Sequence, residues 1–204
     1  LRANPHKFYM DNFIKDTVKS RFSKGQKVLD LGAGFCPYKT LIEEKGCLYK
    51  ANDLFQYYGW IDYVCPADNL PVQDSTFDAV ICTELIEHVP DPNTLIKEIS
   101  RVLKPEGLLV MTSPLDTRLH YEPHHYYNLT EYAIKPLFEK NGLSILSIEK
   151  RGGYFSCLAN LIKMNYFTMK RKDSFITKFL ELLFKPFYYF IIPFILFHLD
   201  FLDN

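Results

Sequence analysis

Between residues 24 and 112 the chain alternates short apolar runs with amphipathic stretches. Residues 27–31, 48–53, 77–83 and 108–112 are compact apolar runs bounded by glycine, proline or acidic side chains, the pattern of strands buried on both faces of a parallel sheet. The clearest helix lies between the last two runs. Asp91 is placed to cap it, Pro92 suits its first position, and Leu95, Ile96, Ile99, Val102 and Leu103 share one face. Lys104-Pro105-Glu106-Gly107 then stops it. Thr130 is placed to cap a further helix reaching Asn141-Gly142, in which Pro136 marks a kink or a later start. Residues 143–150 read as a sixth strand. Strands alternating with helices predict an α/β fold, a Rossmann-like doubly wound and mostly parallel sheet. Ligands of such sheets bind at the carboxyl ends of the strands, near the reversal in strand order. Asp30, Asp53, Asp68 and residues 83–88 follow apolar runs or close loops, so they are expected along that edge.

The pattern changes after Arg151-Gly152-Gly153. Residues 1–153 read as one α/β core with an N-terminal helix, and residues 154–204 as a helical, aromatic-rich extension. The run 187–199 is uncharged but broken by Pro193, and it is shorter than the about 20 apolar residues of a membrane span. It is expected to form a lid, a homodimer surface, or an interfacial segment within residues 175–199 beside Lys170, Arg171, Lys172, Lys178 and Lys185. The alternative is a set of core helices covering the sheet. No seventh strand is legible before Asn204, so one is expected outside this sequence or not at all. The first residue is Leu1 rather than Met, as in a piece of a longer chain.

Composition narrows the function classes. The 204 residues balance 24 basic against 24 acidic side chains, which removes the long-range attraction that a nucleic-acid partner would exploit. Five cysteines show no CxxC spacing, so neither a zinc framework nor a disulfide framework is expected. Together with the absence of a secretory signal, this predicts reduced thiols and a cytoplasmic protein, with peripheral contact at the inner face of the membrane through the tail.

Candidate chemistry begins at Asp30, where a strand-like run opens into Gly32-Ala33-Gly34 and continues as Phe35-Cys36-Pro37. A pyrophosphate-binding loop uses a third glycine and a row of backbone N–H groups. Here Pro37 removes a donor and Phe35 adds bulk. Asp53 closes the second apolar run, where a carboxylate can accept from both ribose hydroxyls. A nucleoside with an amino-acid tail, S-adenosylmethionine, suits these features better than a dinucleotide. The bland alternative is ordinary α/β punctuation.

The series "VLDLGAGFCPY", "YKANDL" and "CPADNLPVQDSTFDAVICTELIEHVPDPNTLIKEISRVLKPEGLLVMTSP" closely resembles the class I S-adenosylmethionine-dependent methyltransferases of the type 11 subgroup. The match runs over residues 24–150, with the motifs in order. The resemblance implies the class I fold, methyl transfer, S-adenosylmethionine as cofactor and S-adenosylhomocysteine as product. It places Asp30, Gly32 and Gly34 around the methionine part, Asp53 and Leu54 at the ribose, and Ala67, Asp68 and Asn69 at the adenine. Cys82 and Thr83 pass the cofactor, and Glu84 faces the acceptor. One departure is Glu106, where the family has a second glycine.

Methyl transfer needs alignment of the acceptor, exclusion of water and, for a hydroxyl or amine, removal of a proton. His88, His120 and His124 are the candidate catalytic side chains, since imidazole titrates near neutral pH. For His88 the alternative is packing within its loop. Glu84, Glu87 and His88 resemble the cluster that quinone-biosynthesis O-methyltransferases link to a divalent cation; the alternative is that the two carboxylates cap or solvate the turn, and no metal site is expected. The stretch "LHYEPHHYYNLTEY" follows the fifth strand. Its His120 and His124 are four residues apart, but Pro123 between them predicts an extended loop rather than a helical pair of ligands. With Tyr126 and Tyr127, the loop is the expected surface for a small or lipid-linked acceptor, a sugar or a phenol. A second reading, from another class, is a catalytically silent cofactor-binding module that acts through partners.

Overall fold

The structure, a computed structural model, describes residues 5–57, 59–158, 161 and 191–199. The chain divides into two compact units, Ile14–Ile148 and the combination of Leu1–Phe13 with Glu149–Asn204. The larger unit holds five parallel strands, β1 (Lys27–Leu31), β2 (Leu48–Asp53), β3 (Tyr63–Val64), β4 (Phe77–Thr83) and β5 (Leu103–Thr112). Their order is β3-β2-β1-β4-β5. The chain leaves β1 toward one edge and returns past it to β4, so the reversal falls between β1 and β4. That is the crevice in which doubly wound sheets bind ligands.

Helix α1 (Pro5–Arg21) precedes the strands, α2 (Lys39–Glu44) and α3 (Pro92–Val102) separate them, and α4 (Glu131–Lys140) follows them. The α3 start is fixed as its sequence implies: the Asp91 carboxylate accepts from the Asn93 N–H at 3.0 Å and from Thr94 Oγ1 at 2.6 Å. Leu95, Ile96, Ile99 and Val102 are buried and cluster with Leu29, Leu31, Val80 and Cys82. Alternate residues of β1 and β4 thus present one sheet face to one helix face. Phe77 is fully buried in the same cluster, and its truncation to alanine should cost about 3–5 kcal/mol.

Two elements, β5 and residues 143–150, differ from the sequence expectation. Strand β5 starts at Leu103 rather than 108, because Leu103 pairs with Phe77 before the register shifts between Phe77 and Ala79. Residues 104–107 bulge there, with Glu106 at φ 61°, and Lys104 Nζ reaches the Asp78 carboxylate at 2.7 Å. Helix α4 follows the expected Thr130 cap, whose side chain accepts from the Ala133 N–H at 3.3 Å, and it ends at Asn141 with Pro136 inside it rather than before its start. Residues 143–150 do not form the expected sixth strand. A strand exists through its ladder, and among the described residues no segment pairs with this one; Leu146 is left 72% exposed.

In the other unit the described residues include the helical stretch 154–158 and α5 (Ile192–Leu199). Phe194 and Ile195 of α5 are exposed. The rest of the aromatic tail, including Lys170, Arg171, Lys172, Lys178 and Lys185, lies outside the described residues. No helix among the described residues is long and apolar enough to cross a membrane.

Candidate active site

Strand β1 delivers Asp30 and the glycine turn to the crevice. Gly32 and Gly34 have φ of 70° and 54°, a region that side chains adopt at a cost. The two glycines are needed for different reasons. A Cβ on Gly32 would lie 2.9 Å from Leu85 Cδ1, whereas one on Gly34 would meet nothing within 4 Å. Gly32 therefore lets the turn after β4 close onto the β1 loop, and Gly34 leaves open space above the backbone. From the end of β2, Asp53 accepts from the Gly34 N–H at 2.9 Å and from the Phe55 N–H at 3.2 Å. Behind the loop, the Tyr49 hydroxyl donates to buried Asp30 at 2.7 Å. Burial pushes the Asp30 carboxyl up to about 6, the Tyr49 bond opposes this, and the negative charge of Asp53 adds to it. Phe35 and Tyr57 pack with ring centroids 4.8 Å apart, so the bulk that replaces the third glycine forms one aromatic rim.

Ala67 and Asp68 are half-buried and Asn69 is exposed, on a segment that α3 ties down. Arg101 donates to the carbonyls of Leu70 at 3.2 Å and Val72 at 2.8 Å, and to the Asp74 and Glu98 carboxylates at 2.7 Å. Glu98 in turn accepts from the Leu70 N–H at 2.7 Å. The sequence reading missed this clasp. Its one signal was a charged pair at the end of an otherwise well-marked helix, and such pairs most often face solvent.

On the acceptor side, Thr83 ends β4 beside Thr112, whose hydroxyl donates to the Glu84 carboxylate at 2.9 Å. A 3-10 turn, Ile86–His88, follows, and Glu87 is fully buried in it, so Glu87 does not solvate the turn. The loop after β5 is not helical at Pro123, but instead of being extended it makes a tight turn, in which the His124 N–H donates to the Tyr121 carbonyl at 2.9 Å, and it is pinned to the 3-10 turn. The Tyr126 N–H donates to the Glu87 carbonyl at 2.8 Å, and the Tyr127 hydroxyl to the Pro90 carbonyl at 2.9 Å. His88 and His120 are brought together, ring centroids 4.8 Å apart, while His125 lies 4.5 Å from His120. The His124 ring is exposed and sits 3.3 Å from the Tyr126 hydroxyl; its carbonyl, rather than its ring, contacts His88 Nδ1 at 2.6 Å. Burial holds the His88 imidazole below its ordinary range, and the neighbouring His120 and His125 act in the same direction.

Residues 29–111 match the family model described as a methyltransferase domain. A ubiquinone biosynthesis O-methyltransferase of Idiomarina loihiensis is 32% identical over 115 residues, 50% of this chain and 46% of that protein. Its counterpart in Xanthomonas oryzae is 34% identical over 113 residues, 48% of this chain and 47% of that protein. The chain thus spans about half the length of these curated relatives. Among solved structures, a Burkholderia thailandensis 1,6-didemethyltoxoflavin-N1-methyltransferase with bound S-adenosylhomocysteine superposes with a TM-score of 0.56 at 20% identity, covering 65% of this chain and 66% of that one. A putative methyltransferase of Bacillus halodurans gives 0.58 at 16% identity, covering 80% and 86%. Residues 29–111 thus match a methyltransferase domain in sequence, and the parallel sheet has the class I methyltransferase fold.

Within the matched region the residues expected at the cofactor divide by element. Asp30, Gly32 and Gly34 follow β1, Asp53 and Leu54 follow β2, and Cys82 and Thr83 end β4. Leu54 is exposed and Cys82 is buried, its thiol pushed well above the ordinary range by burial. Those two differ in what they can offer a cofactor. Leu54 presents an apolar surface, and Cys82 lines the sheet from inside.

Proposed function

We propose that the protein transfers the methyl group of S-adenosylmethionine to a hydroxyl oxygen of a small or lipid-linked acceptor, a phenol or a sugar. The single observation that carries this reading is the approach of Gly34 to Asp53, an N–H to carboxylate distance of 2.9 Å beneath open space. A nucleoside whose ribose meets Asp53 and whose amino-acid tail lies over the glycine turn uses both features. A pyrophosphate would meet Phe35 and the missing donor of Pro37.

The displacement at the sulfonium methyl is in line, and the cation activates the carbon without help from a protein acid. What remains for the chain is to hold the acceptor oxygen on the axis and to receive its proton. His88 and His120 lie where the loops after β4 and β5 meet, and they are assigned to the proton. Tyr126 and Tyr127, with the carboxylate of Glu84, are assigned to the acceptor. The relatives named ubiquinone biosynthesis O-methyltransferase support an oxygen acceptor. Exposed Phe194 and Ile195 on α5 support peripheral membrane contact through residues 175–199.

The test is transfer of a labelled methyl group from S-adenosylmethionine to small phenols, sugars and lipid extracts. Label in an ether-linked product supports the reading. Tight S-adenosylhomocysteine binding with no transfer to any acceptor favours the silent module.

A further inference from the structure

The carboxylate of Glu87 and the imidazoles of His88 and His120 each bring one ligand atom within 4.8 Å of the others. Glu84, which the resemblance to quinone-biosynthesis enzymes would place in a cation site, is not in that group; its carboxylate accepts from Thr112 instead. The histidine tautomers follow from partners that can only accept. His88 Nδ1 lies 2.6 Å from the His124 carbonyl and His120 Nδ1 lies 2.9 Å from the Arg118 carbonyl. A carbonyl has no proton to give, so in each neutral ring Nδ1 carries the hydrogen and Nε2 is left as the lone-pair nitrogen. His88 Nε2 is 3.9 Å from Glu87 Oε1. A backbone carbonyl holding Nδ1–H while Nε2 faces a carboxylate is the outer-shell arrangement found around metal-binding histidines.

His125 differs. Its Nδ1 accepts from the His120 N–H at 3.3 Å, and its Nε2 lies 3.1 Å from Asn128 Oδ1. Both nitrogens are engaged, and its ring edge supports His120. The loop therefore assigns two imidazoles to the cluster and uses the third as a buttress.

We propose that Glu87, His88 Nε2 and His120 Nε2 bind a divalent transition metal of the zinc class. Two imidazoles and one carboxylate suit Zn2+ or Co2+, whereas Mg2+ prefers an all-oxygen shell. Three protein ligands leave a coordination position for water or an acceptor oxygen. The binding itself does not depend on methyl transfer. The role does rest on the proposed function: a cation held here would lower the pKa of an acceptor hydroxyl, so His88 and His120 would serve removal of the acceptor's proton through the cation they hold.

The experiment is calorimetric titration of the untagged full chain with Zn2+, and of the same protein with Mg2+, without cofactor. A parallel Co2+ titration is read by its visible absorption. One Zn2+ per chain is expected, with Mg2+ at least about 100-fold weaker. His120→Ala should weaken Zn2+ by at least about 100-fold, more than an outer-shell change does, while Glu84→Gln leaves it unchanged. Unfolding of each variant by circular dichroism confirms the fold. Absence of Zn2+ binding in the unaltered protein, equal affinity in His120→Ala, or equal losses in His120→Ala and Glu84→Gln each overturn the proposal. S-adenosylhomocysteine binding is titrated separately, so loss of the metal with retained nucleoside binding removes this inference and leaves the proposed function standing.

Discussion

The Tyr49 hydroxyl donates to the Asp30 carboxylate at 2.7 Å across two neighbouring parallel strands, β2 and β1. Asp30 is fully buried, and its carboxyl sits at about 6 against an ordinary 3.8, raised chiefly by burial. Between those values the folded chain binds more protons than the unfolded one. The Asp30 contribution to stability is fully present below pH 4 and is lost as pH rises through 6, to the extent of about 3 kcal/mol. Asp30→Asn keeps an acceptor for Tyr49 and removes the titration. Urea unfolding of both proteins from pH 4 to pH 7.5 should show the difference between them shifting in favour of the variant as pH rises. A difference that stays constant across that range contradicts the assignment.

Gly32 and Gly34 should separate stability from ligand affinity. Gly32→Ala sets a methyl 2.9 Å from Leu85 in addition to a strained φ, and should cost about 1–3 kcal/mol. Gly34→Ala meets no neighbour and should cost about 1 kcal/mol through its backbone alone. Its methyl fills the space assigned to the cofactor, so S-adenosylhomocysteine affinity should fall by more than the stability loss explains. Unfolding midpoints and calorimetry on the two variants make the comparison.

Glu106 holds φ 61° at the bulge that opens β5. Glycine removes the side-chain penalty there, so Glu106→Gly should stabilise the chain by about 0.5–1 kcal/mol. The midpoint of urea unfolding, with an unchanged slope, is the readout.

Arg101 and Glu98 hold the segment that follows β3 through two carbonyls and one N–H. Arg101→Ala leaves those groups without their clasp and should cost about 1–3 kcal/mol. It should also weaken S-adenosylhomocysteine, because Asp68 sits on the loosened segment. Retained affinity would separate the clasp from the cofactor site.

Much of the sheet was legible because its strands are buried on both faces and bounded by glycine or acidic residues. Lys27–Leu31, Leu48–Asp53 and Phe77–Thr83 occur where the apolar runs stand, and α3 was marked by a cap, a proline and one apolar face. Strand β3 was missed, since two residues, Tyr63 and Val64, carry no periodicity. The expected sixth strand failed for the opposite reason: Leu143 with Ile145, and Leu146 with Ile148, flank polar residues well enough to suggest a strand, but pairing supplies the ladder and pattern does not. At the site, the residues around the first loop were readable from spacing. The meeting of His88 with His120, rather than with Glu84, depends on how an irregular loop folds back onto the 3-10 turn, through bonds such as Tyr126 N–H to the Glu87 carbonyl. Loop closure of that kind leaves no periodic trace in sequence.

The central claim is that the crevice between β1 and β4 binds a nucleoside with an amino-acid tail. Calorimetric titration with S-adenosylhomocysteine and with NAD, on the unaltered protein and on Asp53→Ala, tests it most directly. The account predicts binding of S-adenosylhomocysteine, no binding of NAD, and a loss of at least about 10-fold in the variant, one carboxylate hydrogen-bonding pair being worth about 1.5–3 kcal/mol. Tight NAD binding without S-adenosylhomocysteine binding, or full affinity in Asp53→Ala, would contradict it.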